Sequence, residues 1–339
     1  MAIDQSWGST HLQRSEIFRQ ELKMRQEEPT IAQTWVNWIG DIPGDSIRTT
    51  LSVNSLSALE VDTWEESKAL PERRMDTGQF DFSIDEFKGL KVALTDHFFE
   101  TSFQANQVLG QVVPEMKRAH DVYMETKFLQ TINEGQTPNT TNSINNGSHR
   151  FVASGDGDVN GSPDDSLTLS DFSYAGYALT KAAAPVQGRI AIVDPITAHN
   201  LNVKGNIVDV SNNPMWEGLI TTGHMDGTGV RFVRNIYGFD VYVSEFLPTL
   251  AADEDALKNY DGITGPQSAS IAGFKANYFT VISGDSSPVI GAMGRSPKMT
   301  SWRDEDIETE YHQLTQSFGF GLYRPENAIT IFTDPAGIA

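Results

Sequence analysis

The sequence predicts a mixed α+β fold, and three stretches carry that prediction. Residues 98–133 repeat apolar side chains at steps of three and four, the period of one long helix. Residues 45–96 alternate apolar and polar positions in short bursts, the period of strands. Residues 166–263 string together a capped helix, a buried strand, a proline-led helix and two strands joined at a glycine, which reads as a compact α/β unit.

Taken in order, residues 1–30 are polar, with Leu12, Phe18, Leu22 and Met24 spaced through mixed charges. They read either as a solvated helix or disordered tail, or as an arm that orders on a neighbouring subunit. Next, Trp35 and Trp38 stand three apart before a Pro-Gly turn, a spacing typical of a packing anchor. Strand signals follow in SIRTTLSVN, SALEVDTW, QFDFSIDEF and LKVALTD, and Phe80, Phe82 and Ile84 alternate most clearly. Between them EESKALPERRMDTG has no core face and carries Lys68, Arg73 and Arg74 around Pro71, as a projecting polar hairpin would.

The long helix places Ala105, Val108, Val112, Met116, Ala119 and Tyr123 on one stripe, with Arg118, Asp121 and Glu125 opposite, in water. After Tyr123 the pattern blurs, because Lys127 falls on the stripe and Phe128 off it. Such a helix is roughly 50 Å long. Pro114 is expected to kink it or mark a joint between two helices. A single stripe on so long a rod suggests a beam with a sheet laid against it, ended at Gly135.

Residues 136–165 are a polar loop holding a metal-like motif. Asp156, Asp158 and Asn160, followed by Gly161, match the first half of a calcium loop, but position twelve is Leu167 where a bidentate Glu is needed. A calcium site and a plain surface turn both stay open. Beyond it, Ser170-Asp171 is the expected N-cap of a helix carrying Phe172, Tyr174 and Leu179. Residues 188–193 read as a buried strand, and Pro195 opens a short helix through Ala198 and Leu201. After MWEGLITTG, two strands meet at Gly238-Phe239. Residues 264–339 return to strands, ending with Ile329, Ile331 and Phe332 after a turn at Arg324-Pro325.

The totals exclude several functions. Against 45 acidic residues the chain has 25 lysines and arginines, a formal charge of −20. That balance argues against gripping nucleic acid, because phosphate binding relies on lysine and arginine. Absence of cysteine excludes disulfides, zinc–thiolate sites and cysteine nucleophiles. With no run of 18 apolar residues and no signal-peptide core at the N-terminus, a soluble protein without an export signal is expected. A length of 339 residues supports two or three domains, or one with extensions.

Catalytic signatures are lacking. His11, His97, His120, His149, His199, His224 and His312 show no metal-ligand spacing. Gly227-Thr228-Gly229 is followed by Phe232 where a dinucleotide loop needs glycine, so it reads as a hairpin turn. Asp304, Glu305, Asp306, Glu308 and Glu310 could be paired carboxylates of a hydrolase, but alternation along a strand favours a solvated edge. No enzyme activity and no cofactor are expected.

The order of these pieces resembles the major capsid proteins of tailed phages with the Hong Kong 97 fold. RIAIVDPITAHNL is similar to the family's strand–proline–helix segment in the axial domain. VRFVRNIYGFDVYVSEFLP resembles the segment in which an Ile-x-Gly-Phe turn joins two strands. TEYHQLTQSFGFGLYRPENAITIF is similar to the closing peripheral-domain strands, especially in short-tailed (podovirus-type) phages.

That resemblance implies an N-terminal arm over residues 1–44 and an extended loop with flanking strands over 45–96. It implies a peripheral domain with a spine helix over 97–165, an axial domain over 166–263, and a return to the peripheral sheet over 264–339. Trp35, Trp38, Lys68, Arg73 and Arg74 become candidates for contact between subunits, while Pro114, Pro195, Gly238, Phe239, Arg324 and Pro325 are structural turns. The expected partners are further copies as pentamers and hexamers, a scaffolding protein, a portal and a cement protein, around double-stranded DNA held without sequence-specific binding. No membrane partner is expected; the location would be the virion capsid, assembled in the host cytoplasm. Alternatives are an encapsulin-like compartment shell and a calcium-stabilised surface or adhesion module built on residues 156–161.

Overall fold

Alternation of side chains along the strands sorts most of the described strands into two large sheets, beside two separate two-stranded hairpins. The computed structural model describes residues 35–41, 50–56, 62–63, 66–67, 69, 77–101, 105–135, 143–144, 147–153, 166–203, 232–250, 255–257, 268–270, 272–282 and 286–334. The element order opens with β1 (Asn37–Asp41), β2 (Thr50–Leu56), β3 (Thr77–Ser83), β4 (Glu86–Thr95), α1 (Asp96–Thr101) and α2 (Ala105–Gly135). It continues with β5 (Ser143–Ile144), β6 (Gly147–Ser148), β7 (Arg150–Val152), α3 (Leu169–Lys181), β8 (Arg189–Val193) and α4 (Pro195–Val203). The last part holds β9 (Phe232–Ile236), β10 (Phe239–Val243), β11 (Asp255–Leu257), β12 (Ser268–Ser270), β13 (Lys275–Val281), β14 (Val289–Asp304), β15 (Thr309–Leu322) and β16 (Ala328–Thr333).

Eight strands form one sheet in the order β12-β11-β7-β16-β13-β8-β10-β9. Its centre is buried on both faces, and each strand alternates between two cores. Ile190 and Ile192 of β8, Ala276 and Tyr278 of β13 and Phe332 of β16 join Phe128, Leu129 and Ile132 of α2. Ala191 and Val193, Phe279 and Val281, and Ile329 and Ile331 join Phe172, Ala175, Ala178 and Leu179 of α3. The sheet is therefore the middle of three layers. Strands β14 and β15 belong instead to a second sheet, in the order β1-β14-β15-β4.

Several expectations shift in detail. The helical stripe passes through Val112, Met116, His120, Met124, Phe128 and Ile132, all buried, while Ala119 is exposed and Tyr123 half-buried. Counting from Ala119 carried the sequence reading one residue off the true face. Phe128 is thus on the buried side, and Glu125, expected in water, has no exposed surface. The first half of α2 does lie on the four-stranded sheet, but its second half is core. Pro114 does not divide α2, which continues across it with the proline exposed. Helical residues begin at Asp96, two before the expected start, and residues 102–104 lie outside the described ones.

The cap of α3 is Thr168, not Ser170-Asp171. Its hydroxyl accepts from the Asp171 amide, while the Asp171 carboxylate accepts from the Thr168 amide at 2.8 Å, a reciprocal capping box. The β9–β10 turn is Tyr237-Gly238, with positive φ at both (49° and 82°), as a tight hairpin requires; Phe239 is already strand and fully buried. Pro195 opens α4 as expected, behind Asp194. Arg324 and Pro325 lead into a single 3₁₀ turn over Pro325–Asn327. The acidic run is the turn of the long β14–β15 hairpin, residues 305–308, instead of a solvated strand edge.

Two buried arginines close helix ends. Arg150 donates to the Asn133 side chain (2.7 Å) and carbonyl (3.3 Å) in the last turn of α2, and its guanidinium lies 4.6 Å from the Phe332 ring. Arg189 donates to the carbonyls of Gly176, Ala184 and Pro185 around the end of α3. Each cation meets the negative end of a helix, which offsets its desolvation.

The corrected stripe can be tested. Met124→Asp is expected to destabilise by at least about 3 kcal/mol, by burying a charge. Ala119→Asp should cost less than about 1 kcal/mol. Urea unfolding of both variants checks this; equal losses would restore the sequence-derived face.

Candidate functional site

The features most suited to function surround the base of the β2–β3 hairpin, where it meets β15 and α2. Its two strands pair antiparallel from Thr50↔Ser83 to Leu56↔Thr77. At the base, alternation in β15 places glycines on one face and aromatics on the other. Phe318 and Phe320 turn inward, with Tyr123 6.2 Å from Phe318, and Phe128 6.1 Å and Trp38 5.8 Å from Phe320. Gly319 and Gly321 turn toward the hairpin. A Cβ at Gly319 would stand 2.5 Å from the Ser83 carbonyl oxygen and 2.9 Å from Ile84 Cα. One at Gly321 would press on Phe80 and Phe82 at 3.1 Å. The hairpin is thus seated by direct backbone approach, which only glycine permits. Phe82 and Ile84 then pack with Ile290 and Ala292, and Phe80 meets the edge of Tyr323 at 5.6 Å.

Just past this seat, a polar clamp fastens β4 to the helix. The Glu86 carboxylate accepts from the Tyr123 hydroxyl at 2.7 Å and pairs with Lys127 at 3.1 Å and Lys88 at 3.2 Å. Partial burial alone would push the Glu86 carboxyl up, but the bonds from Tyr123, Lys127 and Lys88 outweigh it and hold it below its ordinary value. The hydrogen bond to Glu86 in turn raises the Lys127 ammonium. From Glu86 to Thr95, β4 then follows β15 in unbroken register.

Towards the far end of the four-stranded sheet, Lys91 sits 3.6 Å over the Tyr311 ring and 4.8 Å over Trp302, which stack on each other. Arg303 pairs with Asp96 in the first turn of α1 at 2.6 Å and with Glu305 at 3.0 Å. Phe87 and Leu90 of β4 remain exposed, at 66% and 36%. Between α2 and β14–β15 lies a cavity of about 450 Å³ lined by Trp38, Met116, Met124, Met293 and Met299, with Lys117, His120, Asp121 and Gln316 among its polar residues. Burial depresses the His120 imidazole, which hydrogen-bonds the Leu314 backbone.

Among the sequence candidates, Trp35 is 7% exposed within its own subunit's core, edge-on to Tyr242 at 4.9 Å. Trp38 is half-buried beside Phe320. Lys68, Arg73, Arg74, Asp156, Asp158 and Asn160 lie outside the described residues, as do residues 1–30 and 215–229. Among the described residues, no three His, Asp or Glu side chains are grouped to hold a metal ion. His312 Nδ1 and the Ser301 hydroxyl, paired across β14 and β15, share a hydrogen bond of 2.8 Å. Sequence reading missed the Gly319 seat and the Glu86 clamp. Only the alternation in Phe318-Gly319-Phe320-Gly321 hinted at the seat, and the clamp joins residues 37 and 41 apart.

No protein-family model matches the chain, and no curated protein matches it in sequence. Solved structures match it in fold. The cyanophage P-SCSP1u capsid structure gives a TM-score of 0.66 at 12% identity, over 94% of this chain and 93% of that one. The capsid of Ralstonia phage GP4 gives 0.62 at 10%, over 95% and 96%. The cyanophage Pam1 capsid gives 0.60 at 12%, over 97% and 98%. The chain has the fold found in these bacteriophage capsid structures, and the likeness runs over nearly its full length.

Two measurements probe the site. Gly319→Ala is expected to lower stability by about 1–3 kcal/mol through overpacking. Gly110→Ala, on α2 with nothing within 4 Å of the new Cβ, should raise it by about 0.5–1 kcal/mol. The second concerns pH. Because Glu86 is held low in the fold, its contribution is fully present above about pH 4.3, the ordinary glutamate value, and is lost as pH falls through its folded value. Wild type and Glu86→Gln should therefore differ in thermal stability at pH 7 and converge in acid.

Proposed function

We propose that this chain is the major capsid protein of a tailed double-stranded DNA bacteriophage, with the Hong Kong 97 fold and nearest in type to those of short-tailed phages. The observation that carries the reading is the near full-length likeness of fold to several phage capsid chains at TM-scores of 0.60–0.66. In this reading the protein acts by assembling. Copies join as pentamers and hexamers in an icosahedral shell of the virion, built in the host cytoplasm around the genome, with a scaffolding protein, a portal and a cement protein as partners. It has no catalytic role.

The parts take matching roles. Residues 1–44 are the arm, 45–96 the extended loop, 97–165 the peripheral domain with α2 as its spine, 166–263 the axial domain, and 264–339 the return to the peripheral sheet. Lys68, Arg73 and Arg74 would meet acidic surface on an adjacent subunit, and Trp38, only partly buried, would add to such a contact. Large apolar side chains left in water at separate edges, Phe87 on β4, Tyr237 on the β9–β10 turn and Val186 ahead of β8, support a subunit that buries them in assembly. A formal charge of −20 suits a shell that holds packed DNA without gripping it.

Electron microscopy of the expressed protein, with and without a co-expressed scaffolding protein, tests the reading. Shells or capsomers are expected; a chain that stays monomeric under both conditions overturns it. Deleting residues 60–78 should leave a soluble fold that no longer assembles. Loss of folding on that deletion would place the stretch in the core instead.

A further inference from the structure

We propose that the cavity between α2 and the β14–β15 hairpin holds a site for one soft monovalent cation of the copper(I) class, with the Met116 and Met299 thioethers and the His120 imidazole as its ligands. The site goes beyond the shell reading and does not rest on it.

The donor set points to the metal. Of the chain's nine methionines, four line this one cavity, Met116 and Met124 from α2 and Met293 and Met299 from β14, so sulfur is concentrated where an ordinary core would use leucine. Thioethers suit soft cations such as copper(I), whereas hard cations seek oxygen. His120 lines the same cavity and adds a nitrogen donor.

Geometry selects three of these groups. Met116 and His120 stand one turn apart on the same face of α2, about 6 Å along its axis, and are buried at 2% and 6% exposure. Met299 is paired across the strands with Leu314, and the Leu314 backbone is what His120 hydrogen-bonds, so the register sets Met299 at the imidazole's end of the cavity. The other two methionines belong to the far end. Met293 pairs with Phe318, and the Met124 sulfur already accepts from the Gln316 amide at 3.0 Å.

His120 is prepared as a ligand. Its bond to the Leu314 backbone holds one ring nitrogen and leaves the lone pair of the other for a metal, the arrangement that orients metal-bound histidines. Burial lowers its basicity, so no proton competes for that lone pair at neutral pH. A volume of about 450 Å³ gives the flexible thioethers room to swing onto an ion, and Met299, 37% exposed, opens a way in. Lys117 and Asp121 line the cavity with opposite charges, while the formal charge of −20 draws cations to the chain.

The test is anaerobic titration of the full-length chain with copper(I) held by bicinchoninate. Wild type should take copper(I) from the chelator, and Met116→Leu/Met299→Leu, which conserves volume, should bind at least about tenfold more weakly with unchanged circular dichroism. Met124→Leu/Met293→Leu should bind within about twofold of wild type. No uptake by wild type, or wild-type affinity in the folded Met116→Leu/Met299→Leu variant, overturns the proposal, as does zinc(II) binding as tight as copper(I). Should that variant fail to fold, wild type labelled with ¹³C at the methionine methyls decides. Silver(I), a redox-inert probe, should shift the Met116 and Met299 resonances more than those of Met124 and Met293; equal shifts, the reverse order or none at all overturn it.

Discussion

Helix α2 is one rigid element obliged to satisfy two different sheets, and the rest of the structure depends on that constraint. Along its first turns it presents Val112 and Met116 to Leu94 and Leu314 of the four-stranded sheet. Along its last turns it presents Phe128, Leu129 and Ile132 to the eight-stranded one. Since an α-helix holds its own backbone hydrogen bonds, the spacing between these contacts is fixed by its rise per residue. Polar groups secure it at two places: Glu86 fastens Tyr123 and Lys127 past its midpoint, and Arg150 caps the carbonyl of Asn133 near its end. Rigid coupling of this kind lets force on one sheet pass to the other.

The hairpin of β2 and β3 is attached by different means. At Gly319 there is no side chain between it and the body, only backbone against the Ser83 carbonyl. Apolar contacts of Phe80, Phe82 and Ile84 surround that seat without crossing it. The contact is close and local, and a single methyl group would disturb it. By contrast, β4 is zipped to β15 over its whole length.

Much of this was legible in the sequence where one period dominates. Five successive buried residues in β8 and the alternation of Phe80, Phe82 and Ile84 left little choice of element. Helix α2 was legible as a helix, yet its buried face was misread, because His120 and Glu125 look like surface residues and both are buried. Polar side chains hide inside when a specific partner exists, as the Leu314 backbone does for His120. The β14–β15 hairpin was not legible as one long pairing. Its outer half, Arg295 to Arg303, is exposed residue after residue, so no alternation survives to mark a strand held by its neighbour's hydrogen bonds. The candidate site was the least legible part. Its glycines act through what a side chain would strike, and its clamp through residues brought together only by folding.

The two-sided burial of the central sheet has a mechanical consequence. Tyr278 and Phe279, adjacent in β13, point into opposite cores. Sliding β13 by one residue along β16 would drive each into the wrong layer and break six paired positions from Lys275↔Thr333 to Thr280↔Ala328 together. Shear along the strands therefore meets resistance from both layers at once. A sheet built this way carries in-plane tension as a membrane of fixed weave does, yielding by bending before it creeps.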